Sequence, residues 1–225
     1  MLRKVFCVVF LLAVAASLAA TGEVIERVVA TVNGQPILQS DWDEEFRYEA
    51  FMNRKPLESL TVQDRKQALD RVIDQELLRQ QIKGSEFEEA SAQEPRDRIA
   101  ELRKQFPEVK DDAGWKTKLE QYGMTEQDLT RHIALQLQLT RLITARLRPN
   151  VHIDSSSIET YYREKLLPQL RQSGVKNVPL VEVSPKIEEL LAQQRVNELL
   201  AGWLHDLRAQ SEIRTAGQVE GVASR

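Results

Sequence analysis

Histidines and clustered acids are the residues of this 225-residue chain that would have to carry out acid–base or metal chemistry. The three histidines, His132, His152 and His205, have no second histidine or cysteine at the spacing of zinc ligands. The acidic runs Asp43–Glu45 and Asp111–Asp112 stand where predicted helices begin, and the helix dipole favours carboxylates there. These residues therefore favour structural roles over a metal site or a pair of catalytic carboxylates.

Motifs for nucleotide binding and for nucleophilic catalysis are missing from the sequence. It contains no Gly-x-Gly-x-x-Gly, no Walker-type loop and no Gly-x-Ser-x-Gly elbow. The one cysteine, Cys7, belongs to the N-terminal segment discussed below, so the rest of the chain has no thiol for catalysis or for disulfides. We predict no catalytic residue, no metal and no cofactor, which favours a binding protein over an enzyme.

The residues best suited to contact another polypeptide lie on one short predicted helix. Trp42, Phe46 and Phe51, with Met52 beside them, offer adaptable apolar area of the kind that promiscuous binding surfaces use. The alternative is that these side chains belong to the core, as most large aromatic residues do. We predict all four as contact residues for a bound polypeptide.

The first twenty residues have the pattern of a secretory signal. Arg3 and Lys4 precede an apolar run over 5–20, shorter than the roughly 20 residues that a membrane span needs. Losing these two positive charges changes the formal net charge from −3 to −5, which argues against nucleic acid as a partner. We expect cleavage, no stable membrane insertion afterwards and a periplasmic location, with full secretion as the alternative.

A β-hairpin is predicted directly after this segment. Two β-branched runs flank Asn33–Gly34, a dipeptide that readily takes the positive φ angles of a tight hairpin turn. Pro36 has no N–H to donate to a ladder, so the second strand should be short or lie at an edge. A short strand over Ser211–Thr215 could return to this hairpin.

The remainder of the chain has the apolar spacing of amphipathic helices. Helix starts are predicted from N-cap and capping-box signals at Ser40/Asp43, Thr61/Asp64, Asp111, Thr125/Asp128, Asp154 and Ser184–Pro185. Leu135, Leu137 and Leu139 alternate as in a strand, but the surrounding residues keep helical spacing, so we predict helix there. The fold class is therefore mainly α: a bundle of amphipathic helices with a small N-terminal β-hairpin, closed by a long C-terminal helix and a short strand.

Segments 24–43, 68–78, 124–149 and 187–214 together resemble the SurA-like periplasmic chaperones and their parvulin-type prolyl isomerase relatives. The first segment, VIERVVATVNGQPILQSDWD, is the most specific of the four. The resemblance implies a fold like the peptide-binding domains of trigger factor and SurA. It also implies, as partners, unfolded clients such as outer-membrane proteins, bound in an apolar cradle without ATP.

The chain departs from this family where a parvulin domain of about 90 residues usually lies. Only Leu166–Ser184 joins the helix near Tyr161–Tyr162 to the C-terminal helix, so no isomerase catalytic residue can be carried over. The resemblance divides the chain into a signal peptide (1–20), a SurA-like N-terminal chaperone domain (21–165), a short linker (166–183), a C-terminal helix and strand packing onto that domain (184–215) and a disordered tail (216–225).

Three functional hypotheses follow. The first is a periplasmic holdase that lacks isomerase activity, in which replacing the four contact residues with serine weakens client binding without changing far-UV circular dichroism. The second is a parvulin-type peptidyl-prolyl isomerase with a cryptic site in Leu166–Ser184. The third is an interaction protein with one dedicated native partner.

Overall fold

A computed structural model describes residues 26–82, 91–174 and 178–216. The predicted signal peptide at 1–20 and, apart from Ala216, the predicted disordered tail lie outside the described residues. The elements along the chain are β1 (Val28–Val32), β2 (Gln35–Leu38), α1 (Gln39–Met52), a 3-10 turn (Leu57–Ser59), α2 (Val62–Ile82), α3 (Gln93–Arg103), α4 (Asp112–Glu120), α5 (Glu126–Leu147), a second 3-10 turn (Arg148–Asn150), α6 (Ser155–Tyr161), a π-helical segment (Tyr162–Leu166), α7 (Leu167–Gln172), α8 (Leu180–Gln210) and β3 (Ile213–Thr215). The predicted mainly α fold is confirmed.

The strands form a three-stranded antiparallel sheet in the order β2-β1-β3. The turn between β1 and β2 uses Asn33 and Gly34 at φ angles of 51° and 81°, both in the left-handed region that this hairpin turn requires. Asn33 also accepts a hydrogen bond from the Glu212 N–H through its side-chain oxygen at 2.9 Å, just before β3. Both the predicted hairpin and the returning strand are therefore confirmed.

Strand β2 lies at one edge of the sheet, as Pro36 predicted. Pro36 pairs opposite Thr31 and has no N–H, while the Leu38 N–H donates to the Asp41 carboxylate at 2.9 Å. An edge with few free donors is a poor template for another strand. The predicted Ser40/Asp43 cap is wrong: β2 leads directly into α1, so Asp41 rather than Asp43 occupies the capping position.

Most other predicted helix starts are confirmed by their hydrogen bonds. The Asp64 and Asp128 carboxylates accept from the N–H groups of Thr61 and Thr125. The carboxylates of Asp111 and Asp154 accept from Gly114 and Ser157. Leu135, Leu137 and Leu139 lie in α5, where Leu139 is buried and the other two are half-buried. At about 100° per residue, Leu137 points away from the face that Leu135 and Leu139 share.

The predicted start at Ser184–Pro185 is wrong, because α8 begins at Leu180 and contains Pro185. The Tyr162 hydroxyl donates to the Val178 carbonyl at 2.6 Å, which fixes the chain just before the helix. Pro185 lies in the second turn and removes one backbone donor, the one that would bond the Val181 carbonyl. Within the predicted linker at 166–183, residues Leu167–Gln172 and those from Leu180 onward are helical.

Among the residues that the structure describes, three groups of buried apolar side chains hold these elements together. An aromatic core joins α1, α3, α4 and α5 through Phe51, Ile99, Phe106, Trp115, Leu119, Tyr122, Leu129 and Ile133. A second group packs the sheet on α2, and a third packs Leu200, Trp203 and Leu204 of α8 against Leu78, Leu139 and Leu142. The C-terminal part of α8 is also bound to α2 by Arg208, whose Nε donates to Asp74 at 2.6 Å.

Trp115 gives a stability prediction, because its indole N–H is buried without a hydrogen-bond partner among the described residues. Trp115→Phe leaves a small cavity but removes this unsatisfied donor, and each effect is worth about 1 to 3 kcal/mol with opposite sign. We expect the free energy of unfolding in urea to stay within about 1 kcal/mol of wild type, against a loss of about 3 to 5 kcal/mol for Trp115→Ala. Similar losses of unfolding free energy in Trp115→Phe and Trp115→Ala would contradict the interpretation that the buried indole N–H is unsatisfied.

Candidate functional site

The structure does not bring the four predicted contact residues to one surface. Phe51 is 0% exposed and packs its ring on Phe106, with centroids 5.0 Å apart. Phe46 is also buried, under the guanidinium of Arg65. Because α1 is packed against the sheet, α2 and the aromatic core, its large aromatic residues serve as packing.

Trp42 and Met52 keep some surface. Trp42 is half-buried beside the sheet core, and its indole N–H donates to the Arg65 carbonyl at 2.7 Å. Met52 is 41% exposed at the end of α1. The expectation that serine at all four positions leaves the fold unchanged does not fit the burial of Phe46 and Phe51.

Among the described residues, two of the large apolar side chains that are exposed lie on α8, far along the chain from the predicted contact residues on α1. The exposed ones are Met52, Val62, Val181 and Leu190, and the last two lie on the N-terminal part of α8, at 79% and 41% exposure. Leu190 was visible in the sequence as part of an apolar helix face. Val181 was missed because the predicted helix began only at Ser184.

Val181 and Leu190 belong to a two-helix arm, which we define as residues 155–172 together with 180–196. Helix α6 packs against α8, and the arm buries Ile158, Ile187, Ala192 and Val196 outside the three core groups. Arg148 ties the arm to the end of α5 by an ion pair with Glu189 at 2.6 Å. A helix of 31 residues is about 46 Å long, so α8 is long enough to close the body at one end and form the arm at the other.

The arm combines apolar and charged surface. Besides Val181 and Leu190, which are exposed, the arm has several half-buried apolar side chains, among them Tyr161, Tyr162, Leu166, Leu167, Leu170, Leu180 and Leu191. Charged residues of both signs lie between them, including Arg163, Glu164 and Lys165, which are exposed. Such a surface can contact apolar segments of another chain and remain hydrated.

A second concave feature lies beside α1 and is lined by acids. An open cavity of about 390 Å³ lies between β2, α1, α2 and α5, and its lining includes Asp41, Glu44, Glu45, Glu76, Arg79, Arg131 and His132. A neighbouring cavity of about 540 Å³ shares Glu44 and adds Glu26, Asp43 and Asp128, with Arg27 and Arg47. We call the first one the α1 cavity.

Glu45 and His132 form a buried polar pair at this cavity. Glu45 is 4% exposed and His132 6%; the Glu45 Oε2 accepts from Gln75 Nε2 at 2.9 Å and lies 3.6 Å from His132 Nε2. Burial raises the pKa of Glu45 and lowers the pKa of His132 to about 4. His132 is therefore neutral at pH 7.

Neutral His132 is held by a ring contact rather than by charge. Its ring stacks on Tyr48 with centroids 3.6 Å apart. Burial also raises the pKa of the Tyr48 hydroxyl. In the part of the chain that the structure describes, no group of three histidine, cysteine or acidic residues is arranged to hold a metal ion.

The segment Leu166–Ser184, where a cryptic isomerase site would have to lie, is helical over Leu167–Gln172 and from Leu180 onward. Within the described ranges, no helix has both the length and the apolar character needed to cross a membrane. The two features suited to binding are the arm, with its mixed apolar and charged surface, and the acid-lined cavities.

Comparison with known proteins agrees with this description. The family model for the SurA-like N-terminal domain matches residues 2–143. The match includes the hairpin, helices α1 to α4 and most of α5, and no parvulin-domain family is found beside it. Comparison with curated proteins gives no match.

Proposed function

Because the chain belongs to the SurA-like N-terminal domain family, and so has a chaperone-type role, we propose that it is a periplasmic holdase. It binds unfolded exported or outer-membrane proteins without ATP and without prolyl isomerase activity. The observation that carries the proposal is the combination of this family's domain with an arm that exposes apolar side chains.

Client contact is assigned to exposed apolar residues rather than to buried ones. The proposed contacts are Val181 and Leu190 on the arm and Met52 at the end of α1. The aromatic residues of α1, Trp42, Phe46 and Phe51, instead pack this helix against its neighbours. Apolar burial contributes about 25 cal/mol per Å², and ordering the client offsets much of it. The resulting modest affinity suits a chaperone whose client must leave without an energy input.

The proposed domain organisation keeps the boundaries predicted from the sequence, although α8 begins at Leu180, within the connection. A signal peptide at 1–20 directs export, and the chaperone domain at 21–165 carries α1 to α6. The connection at 166–183 stands where family relatives have a parvulin domain. Residues 184–215 return along the domain and end in the sheet, consistent with the pairing of β3 with β1.

The test is suppression of aggregation. Unfolded porin diluted into buffer is followed by light scattering, with mature protein added at increasing ratios. We expect suppression near stoichiometric amounts, and the double variant Val181→Ser, Leu190→Ser to need about five- to tenfold more protein, because it loses about 1 kcal/mol or more of apolar contact.

Val62→Ser is the matched control for this test. Val62 is 87% exposed at the first residue of α2, away from the arm, and the variant should behave as wild type. If folded wild-type protein suppressed nothing, the holdase assignment would be wrong and a dedicated partner would be sought by pull-down. Acceleration of Ala-Pro isomerisation in a tetrapeptide would instead support the isomerase hypothesis.

A further inference from the structure

Glu45 is a buried residue whose carboxylate lines the α1 cavity, and one of the two carboxylate oxygens accepts no hydrogen bond from the described residues. Its Oε2 accepts from Gln75, whereas its Oε1 accepts no hydrogen bond from any residue that the structure describes. Glu45 nevertheless lines the α1 cavity, and Oε1 is not enclosed by protein. Because Glu45 is only 4% exposed, its carboxylate is poorly hydrated and favours a hydrogen-bond donor in the cavity, above all a charged one.

Among the described residues, no cation forms an ion pair with Glu45 Oε1. The basic side chain in contact with Glu45 is His132, which is neutral at pH 7 because burial lowers its pKa to about 4. The nearby Arg71 is paired with Glu49. In the described part of the chain, Glu45 therefore has Arg71 nearby but no ion pair of its own with a charged basic side chain, and a ligand in the cavity could supply one.

The other charged groups of the α1 cavity leave it acidic. Arg79 pairs with Glu76 at 2.5 Å, and Arg131 lies 3.5 Å from Glu44. Asp41 accepts the Leu38 N–H and lines the cavity, and it forms no ion pair with the residues that the structure describes. With two arginines against four acids, the field in the cavity favours a cation and disfavours an anion.

The rest of the lining is apolar. Pro36, Ile37, Val72 and Leu135 form walls beside the carboxylates. Long basic side chains bury their methylene stems against such walls and place the charged end at a polar group. A volume of about 390 Å³ is at the small end for ligand sites and suits a single side chain.

We propose that the α1 cavity binds an arginine or lysine side chain of the client polypeptide, with its charged group donating to Glu45 Oε1. This assignment rests on the proposed holdase function and gives the client a polar anchor beside its apolar contacts. The cavity is formed by the edge strand β2 and helices α1, α2 and α5, so the site belongs to the body of the domain rather than to the arm.

The test compares two peptides that differ in charge alone. The heptapeptide Gly-Ser-Leu-Arg-Leu-Ser-Gly and its citrulline counterpart are titrated into the mature protein by calorimetry at low salt. We expect the arginine peptide to bind about tenfold or more tightly than the citrulline peptide, because only the arginine can form a charge-assisted hydrogen bond with Glu45. Glu45→Gln, which keeps an oxygen for Gln75, should remove this difference.

Glu198→Gln is the control for charge, because Glu198 is exposed on α8 and pairs with Arg195; it should bind as wild type does. Equal affinity for both peptides would overturn the proposal, and so would an unchanged difference in Glu45→Gln. Agmatine binding as tightly as the arginine peptide would assign the site to free small cations and overturn the client assignment. Porin suppression by wild type tests the holdase function separately, so a failure of the cavity proposal can be distinguished from a failure of the holdase proposal.

Discussion

Replacing Phe51 with alanine is expected to lower the free energy of unfolding by about 3 to 5 kcal/mol. The ring is fully buried and contacts Phe106, Trp115 and Tyr122, with centroid distances of 5.0, 5.8 and 5.5 Å. Its removal leaves a cavity among residues from α4 and the segments after α3 and α4, so relaxation can only partly fill it. Urea unfolding followed by circular dichroism measures the change.

Met52→Ala is the control for this prediction. Met52 is the next residue of α1 but is 41% exposed, and its truncation should lower the free energy of unfolding by less than about 1 kcal/mol. A loss for Phe51→Ala as small as this would contradict the packing role. Phe51→Ser is therefore expected to lower the stability of the fold. Weaker client binding by this variant would then follow from lost stability and would not show that Phe51 contacts the client.

Replacing His132 with phenylalanine is expected to flatten the acid dependence of stability. The pKa of His132 is lowered by burial from 6.5 to about 4 in the folded chain, so the unfolded chain binds the extra proton first as pH falls. The contribution of this pKa shift to the free energy of unfolding is complete above about pH 6.5 and is lost between about pH 6.5 and about pH 4. The free energy of unfolding falls by about 3 kcal/mol over this range. His132→Phe keeps the ring contact with Tyr48 and removes this titration.

The measurement is the free energy of unfolding from pH 7 to pH 4 in both proteins. Burial raises the pKa of Glu45, so protonation of folded Glu45 adds stability as pH falls and opposes the His132 effect. Because Glu45 is present in both proteins, the difference between their profiles reports His132. His205→Gln, an exposed change on α8, should follow the wild-type profile; parallel profiles for wild type and His132→Phe would refute the assignment.

Local sequence signals were sufficient where neighbouring residues decide the structure. Asn33–Gly34 predicted the hairpin because the turn needs two positive φ angles, and Thr125/Asp128 predicted the start of α5 because its hydrogen bonds span three residues. The prediction failed at Ser184–Pro185, where the sequence signal for a cap is strong. There α8 extends to Leu180, and the chain before it is held by Tyr162, a residue 16 positions away from Val178.

The candidate sites depended more on contacts between distant segments. The sequence by itself determined the mainly α class, the hairpin, the returning strand and most helix caps, because turn geometry, capping and apolar periodicity are local properties. Only the tertiary structure decided that Phe51 is core, that Val181 and Leu190 are exposed and that Glu45 faces a cavity beside neutral His132. The physical reason is that apolar spacing shows which residues share a helix face, whereas burial depends on which other helices cover that face.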